Sequence, residues 1–127
     1  IDIRIDVPAV SAVDMIGSAG VVESSADVAK RVATARERQH RRFADAGHGH
    51  ILTNASAPAT LIEKLVEPDR ESQSLLLQAA ERFNLSARAY HRVLKVARTL
   101  ADLAGSDKVA RPHIAEALSY RLSFGAA

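Results

Sequence analysis

The segment LSARAYHRVLKVARTLADLA, at residues 85–104, says most about the fold of this chain. Its apolar residues recur at three- and four-residue steps, the spacing of one face of an α-helix. Ser86 is a residue type that caps helix N-termini, and Gly105 is one that ends helices. We therefore predict a helix over 86–104 whose apolar face packs in a core. The residues expected on that face are Tyr90, Val93, Leu94, Ala97, Leu100, Ala101 and Ala104.

The same signals predict four further helices. The first, over 24–43, is long and highly charged, with Ser24 or Ser25 as its cap and a narrow apolar stripe, so it should protrude or pack along one edge. A loop at 44–58 separates it from helices over 59–66 and 69–83, the second of which should end at Asn84. Pro112 should open a last helix that reaches about Arg121. Residues 59–127 thus form a helical domain.

The first ten residues, IDIRIDVPAV, alternate apolar and charged side chains over 1–7, which predicts a β-strand that Pro8 ends. A lone strand is not stable. We therefore expect the chain to be a piece of a longer protein, with 1–10 belonging to a preceding domain. Residues 11–23, which include Gly17 and Gly20, read as a linker.

Composition excludes several classes of protein. The 127 residues suit one domain and contain no cysteine, which rules out disulfides and thiolate metal sites. No apolar run is long enough for a membrane span, and the acidic N-terminal segment is not a signal peptide. We expect a cytoplasmic protein without a membrane partner. His48 and His50 have no clear third ligand, so we predict no metal site.

Basic residues on the helix over 86–104 are the best candidates for a binding site. Arg88 falls in the first turn, where the helix dipole disfavours a cation, so an anion such as phosphate would suit it. Arg92, Lys95, Thr99 and Asp102 continue the same stripe over about 21 Å, with His91 and Arg98 on its flank. For any single one of these residues, a solvated basic face is the more common explanation.

The chain carries no nucleotide cradle of its own. The pattern G-x-x-x-x-G-K-[ST] does not occur in the sequence. We therefore expect this chain alone to bind ATP weakly or not at all, and we expect no bound cofactor in it.

Three segments carry a resemblance to a known family: IDIRIDVPAV at 1–10, ESSADVAKRVATARERQHRRF at 23–43 and LSARAYHRVLKVARTLADLAGSDKVARPHIAEALSYR at 85–121. They resemble the C-terminal part of magnesium-chelatase-like AAA+ ATPases of the ComM/YifB type. The resemblance implies a mainly α fold: a small helical bundle, the AAA+ lid, preceded by one long charged helix and a strand left over from the α/β core.

The resemblance also implies roles for residues and partners. Arg88 matches the sensor-2 arginine, which reaches the γ-phosphate of ATP, and Arg92 is a second candidate contact. The parent protein would bind ATP and Mg²⁺, pair this region with its upstream AAA+ core, and assemble as a homo-oligomer, a hexamer. ComM-type proteins resemble DNA branch-migration helicases, so DNA is a candidate partner.

Two alternatives stay open on the sequence. One is a magnesium chelatase ATPase subunit, because the lid chemistry is shared. The other is a free-standing basic helical domain that binds DNA phosphates. The candidate DNA contacts are Arg36, Arg38, Arg41, Arg42, Lys95 and Arg98.

We predict that this chain alone hydrolyses no ATP, because the Walker A and B motifs and the sensor-1 residue lie outside it. A turnover assay of purified 1–127 with Mg²⁺ and ATP checks the expectation. Measurable Mg²⁺-dependent turnover would refute it.

Overall fold

Five α-helices make up the described part of the chain, which in this computed structural model is residues 1–9 and 22–122. They are α1 (Ser25–Asp45), α2 (Ala59–Val66), α3 (Arg70–Arg82), α4 (Ala87–Leu103) and α5 (Arg111–Leu122), with a short 3-10 turn at Asn54–Ser56 before α2. Helix α4 is central and contacts α1, α2, α5 and the 3-10 turn, while α3 packs on α5. The predicted helical bundle is confirmed.

Three helices begin at side-chain caps, two of which, Ser24 and Ser86, the sequence predicted. Ser24 forms a capping box with Asp27 at the start of α1. Asp69 accepts a hydrogen bond from the Ser72 amide at α3. Ser86 accepts one from the Ala89 amide at α4, with an N–O distance of 3.1 Å. Each cap satisfies an amide that the first helical turn would otherwise leave unbonded.

Two of the helices end at left-handed residues that the sequence predicted. Asn84 follows α3 with φ 51° and Gly105 follows α4 with φ 74°. The next amide then turns back onto the helix: Leu85 N donates to Ala80 O at 3.1 Å, and Ser106 N donates to Ala101 O at 2.8 Å. These Schellman bonds set the directions in which the chain leaves α3 and α4.

The core is built from aliphatic residues and one phenylalanine. Val93, Leu94, Ala97 and Ala101 form the buried apolar face of α4, in agreement with the predicted periodicity. Their main partners from the other helices and from the loop after α1 are Phe43, Ile51, Ile62, Leu76, Ile114, Ala117 and Leu118. Small residues on α4 allow neighbouring helices to approach it closely.

Helix α1 packs along one edge through its second half. Its buried residues are Ala35, Gln39 and Phe43, spaced four apart on one face. Val28 and Val32, which the sequence placed on the same stripe, are each 38% exposed. The first half of α1 therefore extends beyond the bundle, and the second half positions polar side chains against α4.

The predicted N-terminal strand is not formed in the described residues. Residues 1–9 have no regular secondary structure, and Ile1, Ile3, Ile5 and Val7 are exposed. The Arg4 amide donates to Tyr120 O on α5, and no neighbouring strand is present among the described residues to form a ladder. The predicted linker at 11–23 lies mostly outside the described residues, which resume at residue 22.

None of the helices in the described ranges is long and apolar enough to cross a membrane.

We predict that Gly105→Ala lowers the free energy of unfolding by about 1 kcal/mol, because an L side chain at φ 74° is strained. The added Cβ would meet only Arg38 Nη2, at 3.8 Å, so the cost is conformational rather than steric. Gly49→Ala is the matched control: its φ is not positive and its Cβ would meet nothing within 4 Å. Urea unfolding of both variants checks this, and equal midpoints would contradict it.

Candidate anion-binding site

An open cleft of about 440 Å³ lies along the first half of α4. Arg88, His91, Arg92 and Lys95 line it from the helix, and Asp2 enters it from the N-terminal segment. Ala55 and Ala59 complete the lining. Three cationic side chains thus face a single carboxylate, which makes this α4 cleft attractive to anions.

The basic residues of the α4 cleft differ in their hydrogen-bond partners. Arg92 donates from Nε to Asp2 Oδ1, and Lys95 Nζ donates to the Ala55 carbonyl oxygen at 3.0 Å. His91 Nε2 lies 2.6 Å from Glu63 Oε1 on α2. In the described part of the chain Arg88 has no hydrogen bond or ion pair, and it is exposed. It is therefore the cleft cation most available to an external anion.

Arg88 is the second residue of α4, two positions after the Ser86 cap. The positive end of the helix dipole lies at this first turn and works against a cation there, at a cost of a few tenths of a kcal/mol. No acidic residue occurs in the first turn to offset it. A bound anion would relieve this repulsion, because it would contact both the guanidinium and the dipole.

The second half of the same α4 face is buried in a polar network. The Asp102 carboxylate receives both Nη atoms of Arg42 from α1, and Arg98 Nη2 lies 3.1 Å from its Oδ1. Asn54 of the 3-10 turn donates from Nδ2 to Asp102 Oδ2 at 3.1 Å and to Thr99 Oγ1 at 3.0 Å. This buried Asp102 network connects α1, the 3-10 turn and α4.

Arg98 and Gln39 complete the network. Arg98 is only 1% exposed and donates to the carbonyl oxygens of Ser106 and Asp107, at 2.8 and 3.0 Å. Burial lowers the pKa of the Arg98 guanidinium from its ordinary value, and the nearby Asp102 carboxylate opposes that shift. Gln39 Oε1 accepts a hydrogen bond from the backbone amide of Asn54.

The structure corrects the predicted exposed stripe on α4. Arg88, Arg92 and Lys95 do line one cleft, but Asp102 is 2% exposed and Thr99 is half-buried. The expectation that Arg98 lies on an exposed flank is wrong. The cause is tertiary packing, because α1 and the 3-10 turn cover this face of α4 from Lys95 onward.

The α1 arginines proposed as DNA contacts have different surroundings. Arg42 is committed to Asp102 and is half-buried. Arg38 pairs with Asp107 at 3.1 Å and Arg41 pairs with Glu37 at 3.2 Å, both at the surface. Arg36 is exposed. Three of these four arginines thus have a carboxylate partner within the chain.

Two histidines lie close together in the loop after α1. The rings of His48 and His50 lie 6.0 Å apart. Within residues 1–9 and 22–122 there is no group of three His, Cys, Asp or Glu side chains that could hold a metal ion. His113 is half-buried, and its Nδ1 accepts a hydrogen bond from the Ala110 backbone amide at the start of α5.

Sequence reasoning missed the partners that organise both regions. Asp2 and Glu63 were not connected to α4, and Asn54 was not assigned to a core. The sequence signal for Asn54 is its position between small residues in a loop. An asparagine amide can donate and accept hydrogen bonds with both backbone and side-chain groups. No local pattern indicates that Asp102 accepts hydrogen bonds from Arg42 on α1, because the two residues are 60 positions apart.

Comparisons of the sequence with known proteins found a matching family model and several relatives. A family model described as magnesium chelatase, subunit ChlI C-terminal, matches residues 22–121. Competence protein ComM of Haemophilus influenzae is 38% identical over 120 residues, which cover 94% of this chain and 22% of that protein. The uncharacterized protein YifB of Escherichia coli is 40% identical over 99 residues, covering 78% of this chain and 18% of that protein. The chain thus spans about a fifth of the length of these relatives.

We predict that Asp102→Ala lowers the free energy of unfolding by about 3–5 kcal/mol, because it leaves the buried Arg98 and the largely covered Arg42 without their carboxylate. Asp107→Ala is the matched control: its side chain is 95% exposed, and its pairing with Arg38 is worth about 0–1 kcal/mol. The carbonyl that Arg98 uses at residue 107 is kept in that variant. Urea unfolding followed by circular dichroism measures both, and similar losses would contradict the prediction.

Proposed function

This chain belongs to the magnesium chelatase, subunit ChlI C-terminal, family, and from that premise we propose that it forms the helical lid of an AAA+ ATPase. In this proposal Arg88 is the sensor-2 arginine. It contacts the γ-phosphate of ATP that is bound to the upstream AAA+ core of the same polypeptide in the parent protein. Arg92 is a second candidate contact. The lid would couple ATP binding and hydrolysis to movement within a homo-oligomeric ring, a hexamer.

The observation that carries the proposal is the state of Arg88. It is exposed at the first turn of α4, it lies on a cleft that is rich in cations, and it has no partner in the described part of the chain. A guanidinium in that position can bind two phosphoryl oxygens at once. Contact with oxygens on which charge develops would stabilise phosphoryl transfer and make the lid sensitive to hydrolysis.

ATP and Mg²⁺ are proposed for the parent protein, not for this chain alone. The sequence contains no Walker A pattern, and the described residues offer no set of metal ligands. They therefore do not fit a magnesium site of their own. In the parent, Mg²⁺ would neutralise phosphate charge in the upstream core, while the residues of the α4 cleft bind and orient the terminal phosphate.

For the substrate of the parent we propose DNA, acted on by a branch-migration helicase of the ComM type. The similarity to a protein named for competence supports this over 94% of the chain. A magnesium chelatase ATPase subunit is the second candidate, and the description of the family model favours it.

A free-standing DNA-binding domain is less well supported. Two of its six candidate contacts, Arg42 and Arg98, are committed to Asp102. Salt-dependent DNA binding by this chain, with no effect of nucleotide in the parent, would favour it.

We predict that Arg88→Ala in the full-length parent lowers the ATPase rate by roughly tenfold or more, because a donor to developing phosphoryl charge is lost. Lid stability should change little, since the side chain is exposed. Arg70→Ala is the matched control, an exposed arginine in the first turn of α3. Steady-state turnover measures both rates, and wild-type turnover in Arg88→Ala would show that the assignment is wrong.

A further inference from the structure

Asp2 is the only carboxylate that lines the α4 cleft in the described residues. It comes from a segment 90 positions away in sequence and accepts a hydrogen bond from Arg92 Nε. The cleft that suits an anion therefore already contains one, supplied by the chain itself. A carboxylate oxygen and a phosphoryl oxygen are alike as acceptors for a guanidinium.

The attachment of Asp2 is weak. The side chains of Arg92 and Asp2 are 30% and 44% exposed, so water screens the ion pair. Ile1, Ile3 and Ile5 are exposed and add little packing to hold the segment in place. The Arg4 backbone amide also donates a hydrogen bond to Tyr120 O, at 3.2 Å.

A phosphate anion has two advantages over Asp2 in this cleft. It carries more charge, and its several oxygens can contact more than one cation. Arg88 and Lys95 line the same cleft as Arg92. An anion that meets Arg88 would therefore gain further contacts by displacing Asp2 from Arg92.

We propose that Asp2 is a displaceable internal occupant of the α4 cleft, and that phosphate binding at Arg88 and Arg92 releases the N-terminal segment from α4. The inference rests on the proposed function, because it takes the cleft to receive phosphoryl oxygens. It adds a consequence: occupancy of the cleft changes how the segment preceding the bundle is held. The position of that segment would then depend on whether phosphate is bound.

The test compares binding of inorganic triphosphate to three forms of this chain by calorimetry at low salt. Asp2→Asn should bind about two- to fivefold more tightly than the unchanged chain, because the competing charge is removed. Asp6→Asn makes the same change in net charge at an exposed residue with no hydrogen bond or ion pair in the described part of the chain. Its affinity should change by less than about 1.5-fold, since exposed charges outside the cleft are screened.

Two further measurements separate the explanations. In an Arg92→Gln background, Asp2→Asn should give no gain in affinity, because the ion pair is already absent. Saturating triphosphate should move the amide resonances of Asp2 and Ile3 towards those of an unstructured chain. Equal gains in Asp2→Asn and Asp6→Asn, a gain that persists with Arg92→Gln, or no triphosphate binding in any form would each overturn the proposal.

Failure of this inference is distinguishable from failure of the proposed function. If Arg88→Ala abolishes ATPase in the parent while Asp2→Asn leaves triphosphate affinity unchanged, the inference alone is wrong. If Asp2→Asn behaves as expected while Arg88→Ala leaves turnover in the parent unchanged, the cleft binds anions but the sensor-2 assignment is wrong.

Discussion

The Asp102 carboxylate is buried on α4, and its neutralisation constrains how the other segments are arranged. A buried carboxylate is costly unless cations and hydrogen-bond donors surround it. Arg98 comes from one turn earlier on the same helix, Arg42 from α1 and Asn54 from the 3-10 turn. Because all three must reach one side chain, α1 and the loop after it have little freedom to shift along α4.

That constraint divides one face of α4 into two environments. The second half of the face lies beneath α1 and the 3-10 turn, where Asp102 and Arg98 are buried. The first half remains open, and there Arg88, Arg92 and Lys95 line a cleft. The bond from Lys95 to the Ala55 carbonyl marks the boundary, because Ala55 belongs to the covering turn. The buried network thereby sets the position of the exposed one.

The two networks have different energetic roles. Charges in the buried network interact where little water screens them, so loss of one partner leaves a large penalty. Charges in the α4 cleft are exposed or only partly buried, and each pair contributes little to stability. Weak internal pairs are what a binding surface needs, since strong ones would have to be broken before a ligand could bind. The buried pairs that stabilise the fold thus lie at one end of α4, and the proposed phosphate-binding surface lies at the other.

Local signals in the sequence were sufficient for the helices and their ends. The spacing of Val93, Leu94 and Ala97 predicted the buried face of α4, and Ser86, Asn84 and Gly105 predicted where helices begin and end. Such features depend on residues within one or two turns, which is the range over which periodicity and capping act. The predicted strand over 1–7 was wrong for the described residues, because a strand depends on a partner that local sequence does not supply.

The surroundings of each charged residue could not be read in the same way. The sequence places Arg88 and Arg98 on the same basic helix, yet Arg88 is exposed and Arg98 is buried, with 1% of its surface exposed. The difference comes from segments that cross α4 after long intervals of chain, as Arg42 does to reach Asp102. Periodicity fixes which residues share a helix face, whereas the packing of distant segments determines which part of that face water and ligands can reach.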